Sequence, residues 1–188
     1  ATTAGSSFND YVEAEIFEPL GMDQSTFDQP VPDAIDGTLS KGYTTPDGRC
    51  QEGDFEYVGM APAGSMTTTA TDMARFVRAH LQGGATGQGR ILDSDSVATM
   101  HQRRFGNDDR LNGMCFGFYE LSRNDVRIVG HAGDTEQFHS VVALLPEHGV
   151  GLFVSYNSPG GVEARDELLD ALIDEYYPSE ESTPQPDG

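Results

Sequence analysis

Gly130-His131-Ala132-Gly133-Asp134 is followed by Thr135-Glu136-Gln137, then by Phe138-His139-Ser140, and the run continues to Ser155-Tyr156-Asn157. Just upstream, Val126, Ile128 and Gly130 alternate with other residues, which predicts a strand entering the stretch. Asp134 to Gln137 has the composition of a turn. Ser140 to Leu145 and Val150 to Ser155 are runs of strand length on either side of Pro146-Glu147-His148-Gly149, so a hairpin follows. Before all of these, Met114, Phe116 and Phe118 share one parity with small or polar residues between them and predict a further strand. The expected product is an antiparallel sheet of three to four strands, with one edge left open unless an upstream segment covers it.

Working outward, Val162, Leu168, Leu169, Leu172, Ile173 and Tyr176 recur at helical spacing and need an apolar partner, which the sheet provides. On the other side, Phe8, Tyr11, Val12 and Ile16 form one helical stripe that stops at Pro19-Leu20-Gly21. From Asp23 to Met60 the chain is turn-rich, with Pro30, Pro32, Gly37, Pro46 and Gly48, and is expected to run irregularly over the surface. Thr69 and Asp72 stand as an N-cap and its partner ahead of a helix carrying Met73, Phe76, Val77 and His80, which should end at Gly83-Gly84. A further helix from Ser94 is expected to turn Val97, Met100 and His101 inward. Helices followed by strands and a closing helix describe an α+β fold. The expected division is a helical and irregular region over 1–105, strands plus the last helix over 106–177, and a disordered tail over 178–188.

A chain of 188 residues with 37 % apolar residues is enough for one packed core. Its 31 acidic against 11 basic residues give a formal charge of −20, and Lys41 is the only lysine. Such a surface repels itself in dilute buffer. At molar salt the screening length falls to about 3 Å, which fits a protein from a high-salt cytoplasm or brine. The same charge makes nucleic acid and anionic membrane poor partners. Cys50 and Cys115 are too few for a disulfide framework and have no Cys-x-x-Cys spacing, so two free thiols are expected. No apolar run reaches the length of about 18 residues needed to span a bilayer, and no signal-peptide pattern is present. The absence of Met at position 1 fits a processed or truncated piece.

Three stretches together resemble the serine β-lactamase and penicillin-binding-protein superfamily, in the branch of class C β-lactamases, D-alanyl-D-alanine peptidases and related esterases. They are Phe8-Asn9-Asp10-Tyr11-Val12 through Ile16-Phe17-Glu18-Pro19-Leu20-Gly21-Met22; Pro62-Ala63-Gly64-Ser65-Met66 leading into Thr69-Ala70-Thr71-Asp72-Met73; and Gly130-His131-Ala132-Gly133-Asp134 with the hairpin that ends at Ser155-Tyr156-Asn157. The resemblance runs through nearly the whole chain and covers the C-terminal part of that fold. It implies hydrolysis of an amide or ester through an acyl-enzyme, with a small-molecule or peptide-like substrate and no cofactor.

In that family a Ser-x-x-Lys turn supplies the nucleophile and a Tyr-x-Asn element helps move protons. Neither is here: Thr38 stands three residues before Lys41, and no Tyr has Asn two residues later. Loss of a nucleophile removes about six orders of magnitude in a triad enzyme, so the chain is expected to be inactive alone and completed by an upstream segment. By the resemblance, His131, Ala132 and Gly133 match the family's Lys-Thr-Gly strand. His131 would face the substrate's carboxylate or carbonyl, Gly133 would admit the substrate to the backbone, and the N–H of Asp134 would match one oxyanion-hole donor. Imidazole in place of ammonium weakens anion binding, and Ala132 in place of Thr loses a hydroxyl contact, so an esterase or peptidase-like relative is favoured over a true β-lactamase.

Blander readings stand beside these. His131 could be a polar strand-edge residue; Ala63 and Gly64 either line the pocket mouth or form the tight turn before a capped helix. His139 is read as structural, Asp72 as a cap, Arg75 as solvated, and Met73, Phe76 and Met114 as core. Ser65 and Ser140 have no recognisable base, and His131, Asp134 and His139 match no strong metal-ligand spacing, so no metal is expected. The alternative function is a non-catalytic binding module derived from the fold. A homo-oligomer formed through the exposed sheet edge is a third expectation.

Overall fold

A computed structural model describes residues 5–36 and 39–179. Ser7 caps the first helix, α1 (Phe8–Val12), its hydroxyl accepting from the Asp10 N–H at 3.1 Å. A π-helical turn over Glu13–Phe17 follows, and α2 (Glu18–Leu20) stops at Gly21 with φ +67°. The π-turn changes the expected stripe. Its wider turn rotates the later residues around the axis, so Phe17 and Leu20 join Val12 in the core with Phe8 and Ile16 packed against them; Tyr11, upstream of the turn and expected inside, is exposed. Among its described residues, the excursion that follows holds α3 (Asp33–Asp36), a 3-10 turn over Pro46–Gly48 and a two-residue ribbon of β1 (Tyr43–Thr44) with β2 (Gln51–Glu52).

Helix α4 (Ala70–Leu81) starts as the sequence predicts, with the Thr69 hydroxyl accepting from the Asp72 N–H at 3.1 Å. The Asp72 carboxylate does something else. It is 2 % exposed and accepts from the Gln24 N–H and the Ser25 hydroxyl, each at 2.9 Å, so it ties the chain after α2 to α4 instead of completing a reciprocal cap. Arg75, expected to be solvated, is half-buried and pairs with the same carboxylate. Beyond Gly83 and Gly84, both with positive φ, lie a small ribbon of β3 (Ala85–Thr86) with β4 (Gly89–Arg90) and the helix α5 (Ser94–His101). The cap of α5 is Asp93, accepting from the Ser96 N–H at 2.6 Å.

The strand expected through Met114, Phe116 and Phe118 does not form. Gly117 takes φ +68° and the Cys115 N–H donates to the Phe118 carbonyl at 2.9 Å, which closes a tight reversal. The reversal separates the three residues: Met114 is 52 % and Phe116 56 % exposed, while Phe118 is 5 % exposed. Only β5 (Tyr119–Glu120) remains, pairing with β6 (Val129–Asp134), then β7 (His139–Leu145) and β8 (Val150–Tyr156), in an all-antiparallel sheet of four strands in sequence order. Strand β6 therefore starts later than the alternation from Val126 suggested. Gly149 turns the β7–β8 connection at φ +63°.

Register sorts the sheet into two faces. Val129, His131 and Gly133 share one face with Leu144, Val142 and Ser140 and with Gly151, Phe153 and Ser155. Helix α4 covers the apolar end of this face, and it comes so close at Gly151 that a Cβ there would lie 2.3 Å from Val77. The other face carries Ala143 and Leu145 against Leu169 and Ile173 of the last helix, α6 (Gly161–Tyr176). Leu169 and Ile173 are almost fully buried, and each contributes roughly 1.5–3 kcal/mol of transfer free energy. Leu168 and Tyr176, expected on the apolar stripe of α6, are exposed, because the contact with the sheet is narrower than the stripe. Pro178 and Ser179 end the described chain, and the rest of the expected disordered tail lies outside the described residues.

Candidate functional site at the open edge of the sheet

Strand β5 pairs with β6 at Val129 and Gly130 only, which leaves 131–134 without a strand on that side. The Ala132 N–H points out of this edge and donates to the Tyr119 hydroxyl at 2.7 Å. Backbone direction alternates along a strand, so the Asp134 N–H faces the same open edge, away from β7. His131 is exposed, with its ring centroid 5.1 Å from that of Tyr119. Gly133 is exposed too, and a Cβ built there meets nothing within 4 Å, so the backbone is approachable. The four residues 131–134 thus present an imidazole, a bare stretch of backbone and an outward amide at one strand edge.

The end of this strand is held from two sides. On the α6 face, Arg165 Nη1 donates to the carbonyls of Gly133 and Ser140, each at 3.1 Å. The same guanidinium forks onto Asp134, Nη1 to Oδ1 at 2.7 Å and Nη2 to Oδ2 at 3.1 Å, and His139 Nδ1 lies 2.8 Å from Asp134 Oδ1. Burial alone would raise the Asp134 carboxyl, but the hydrogen bonds from Arg165 and His139 outweigh it and hold it below the usual carboxylate range. From the other side, Glu56 seats its carboxylate on the 135–137 turn, accepting from the Thr135 hydroxyl at 2.6 Å and the Glu136 N–H at 2.7 Å. Gln137 is buried against Gly42 and Gly53, where a Cβ would come within 2.2 Å of its amide oxygen. Glycine at both positions lets the excursion close over the turn.

The sequence-predicted residues are brought together unevenly. His131, Ala132, Gly133 and Asp134 form one continuous edge, and His139 takes the structural part expected of it. Ala63 and Gly64 are exposed at the end of a short 3-10 turn, held by Ser65, whose hydroxyl donates to the carbonyls of Phe27 and Ala61 at 3.0 Å. The Ser140 hydroxyl donates to that of Ser155 at 2.8 Å. A concavity of about 460 Å³ lies elsewhere, between α1 and residues 23–35, and none of its lining residues belongs to β6. Among its walls Glu13 has a raised pKa, from burial first and then from Glu18, Asp28 and Asp23. Among the described residues there is no group of three potential metal ligands and no helix long and apolar enough to cross a membrane. Both Cys50 and Cys115 are free thiols.

Three residues of the site were not foreseen. Arg165 had a signal, since it stands three residues after Val162 and four before Leu169, a charge on the apolar stripe of α6. Tyr119 follows Phe118 in the segment misread as a strand. Glu56 sits in a stretch without periodicity and carried no signal.

Comparison with known proteins agrees with this architecture. A human protein described as beta-lactamase-like 1 is 28 % identical over 186 residues, covering 92 % of this chain and 35 % of the human one. The octameric penicillin-binding protein homologue from Pyrococcus abyssi superposes with a TM-score of 0.75 at 22 % identity, over 95 % of this chain and 40 % of that one. A D-stereospecific amidohydrolase from a Streptomyces species gives 0.67 at 19 % identity, over 92 % of this chain and 49 % of that one. The chain therefore spans less than half the length of each of these proteins. The profile of the Beta-lactamase family matches residues 1–176 of the 188, and the chain belongs to the Beta-lactamase family.

Proposed function

We propose that this chain is the C-terminal part of a serine hydrolase that opens an amide or ester through an acyl-enzyme, and that it supplies the substrate-facing strand and part of the pocket wall. The observation that supports the reading is the open edge of β6, where the Asp134 N–H points outward beside an exposed His131 and an unobstructed Gly133. Acyl transfer needs a hydrogen-bond donor where negative charge develops on the carbonyl oxygen, and one such donor is worth about 10²–10³ in rate. In this reading the Asp134 N–H is that donor. Gly133 admits the substrate to the backbone, Ala132 forms the strand wall, His131 meets the substrate's carboxylate or carbonyl, and Ala63 with Gly64 borders the mouth. The attacking serine and its lysine come from polypeptide that precedes residue 1.

Residues 1–188 alone are expected to turn over neither nitrocefin nor p-nitrophenyl esters, and to take no label from a fluorescent penicillin or a fluorophosphonate. The polypeptide extended upstream through a Ser-x-x-Lys is expected to do both. Turnover or labelling by residues 1–188 alone would overturn the assignment of the nucleophile. The missing Ser-x-x-Lys also favours a second reading, a binding module without catalysis. An extended polypeptide that still takes no label would support the module and count against the hydrolase. Pairing of a second copy on the open sheet edge is decided by light scattering.

The charge of −20 carries a separate proposal, adaptation to high salt. Screening removes the self-repulsion of such a surface, so the thermal midpoint is expected to rise steadily between about 0.1 and 3 M KCl. A midpoint that does not move over that range would remove the proposal.

A further inference from the structure

We infer that Arg165 is a positioning residue that aims and strengthens the Asp134 N–H through the carbonyl of Gly133; the inference rests on the reading of β6 as the oxyanion strand. A trans peptide unit is planar, with its C=O and N–H on opposite sides. Whatever holds the carbonyl of residue 133 therefore also sets the direction of the N–H of residue 134. The pairing of Gly133 with Ser140 already turns that carbonyl toward β7, and Arg165 Nη1 adds a charged bond to it at 3.1 Å while reaching the Ser140 carbonyl at the same distance. The guanidinium is itself fixed by the forked contact with the Asp134 carboxylate. The loop of bonds closes on the covered side of β6 and leaves the amide on the open side.

The same contact has an electrostatic consequence. A carbonyl that accepts from a cation withdraws electron density across its peptide unit, and hydrogen bonds in series polarise one another most in a low-dielectric setting. The Arg165 side chain is 7 % exposed, which provides that setting and keeps it from touching a substrate itself. A plain structural role, neutralising Asp134, is the alternative, and it makes a different prediction. If neutralisation were all, removing both charges together would restore everything that removing Arg165 disturbs.

The deciding experiment compares Asp134→Asn with the double variant Arg165→Met/Asp134→Asn, which leaves no unpaired charge. In NMR spectra of residues 1–188, the Gly133 carbonyl carbon and the residue-134 amide nitrogen are expected to shift upfield in the double variant relative to Asp134→Asn. In the extended, serine-bearing polypeptide, the double variant is expected to lose about 10²-fold in kcat relative to Asp134→Asn, with KM changed by no more than about twofold. Unchanged signals in a double variant with native circular dichroism would overturn the inference. Should the double variant not fold, Arg165→Lys/Asp134→Asn, which keeps a cation of shorter reach, is read in the same way. An inactive extended wild type together with displaced NMR signals would count against the hydrolase reading and leave the aiming of the peptide standing.

Discussion

Taking the chain from pH 7 to pH 4 is expected to remove about 3 kcal/mol of its folding free energy through one buried histidine. His80 on α4 is buried between the rings of Phe76, His101 and Phe118, with its Nδ1 3.2 Å from His101 Nε2. Two neutral imidazoles can share one proton across that contact, and protonation of both rings would set two donors against each other. Burial first, and the neighbouring His101 second, push the His80 pKa down to about 4. A base whose folded pKa lies below its unfolded value of about 6.5 stabilises the fold fully above that value. The contribution is lost as pH falls toward 4, because the unfolded chain takes up protons that the folded chain refuses.

His101 is pushed down as well, by burial and then by Arg127, so it adds in the same direction. The measurement is urea unfolding in molar salt, which suppresses the opposing gain from neutralising surface carboxylates. Stability of the wild type is expected to fall between pH 6.5 and about 5, where few carboxylates titrate, and His80→Leu is expected to flatten that slope. Equal slopes in the two proteins would show that the imidazole pair is not the acid-sensitive element.

Asp72→Ala is expected to cost about 2–4 kcal/mol, more than loss of the neighbouring cap. The carboxylate is buried, and its removal leaves the Gln24 N–H and the Ser25 hydroxyl without their acceptor. An orphaned buried donor costs about 1–3 kcal/mol. Ser25 keeps its 2.7 Å contact with the Thr68 hydroxyl, and Arg75 is exposed enough to turn to water, which limits the loss. Asp72→Asn retains one acceptor oxygen and should cost about half as much. Thr69→Ala removes only the helix cap, at about 1 kcal/mol. Chemical denaturation orders the three variants. If Asp72→Ala proves no worse than Thr69→Ala, the segment after α2 is held to α4 by its apolar contacts alone.

Much of the fold was legible because its signals are local. The cap of α4 and the glycine stops at Gly21 and Gly83-Gly84 depend on side chains a few residues apart. The β7–β8 hairpin shows as two apolar runs around a turn, and Gly130 to Asp134 stands out as a polar, glycine-bearing segment entering an apolar sheet. Where the reading failed, one residue's backbone had shifted the periodicity. The π-turn at Glu13–Phe17 brought Phe17 onto the inward stripe, and positive φ at Gly117 turned an alternating segment into a reversal. Counting parity along a sequence assumes uniform turns, and neither irregularity changes the composition that is counted.

The sequence by itself determined the α+β class, the family resemblance carried by its three motifs, the charge of −20 and the lack of a Ser-x-x-Lys turn, since each is a property of residue types or of short spacings. Tertiary structure alone decided which groups support the candidate edge. Arg165 lies 31 residues from Asp134 and Glu56 lies 79 from Thr135, separations over which a sequence carries no direction or distance. The facing of the Asp134 amide follows from the register of β6 on β7, and its freedom from where β5 stops pairing. Both are pairings between separate strands, which no local spacing in the sequence specifies.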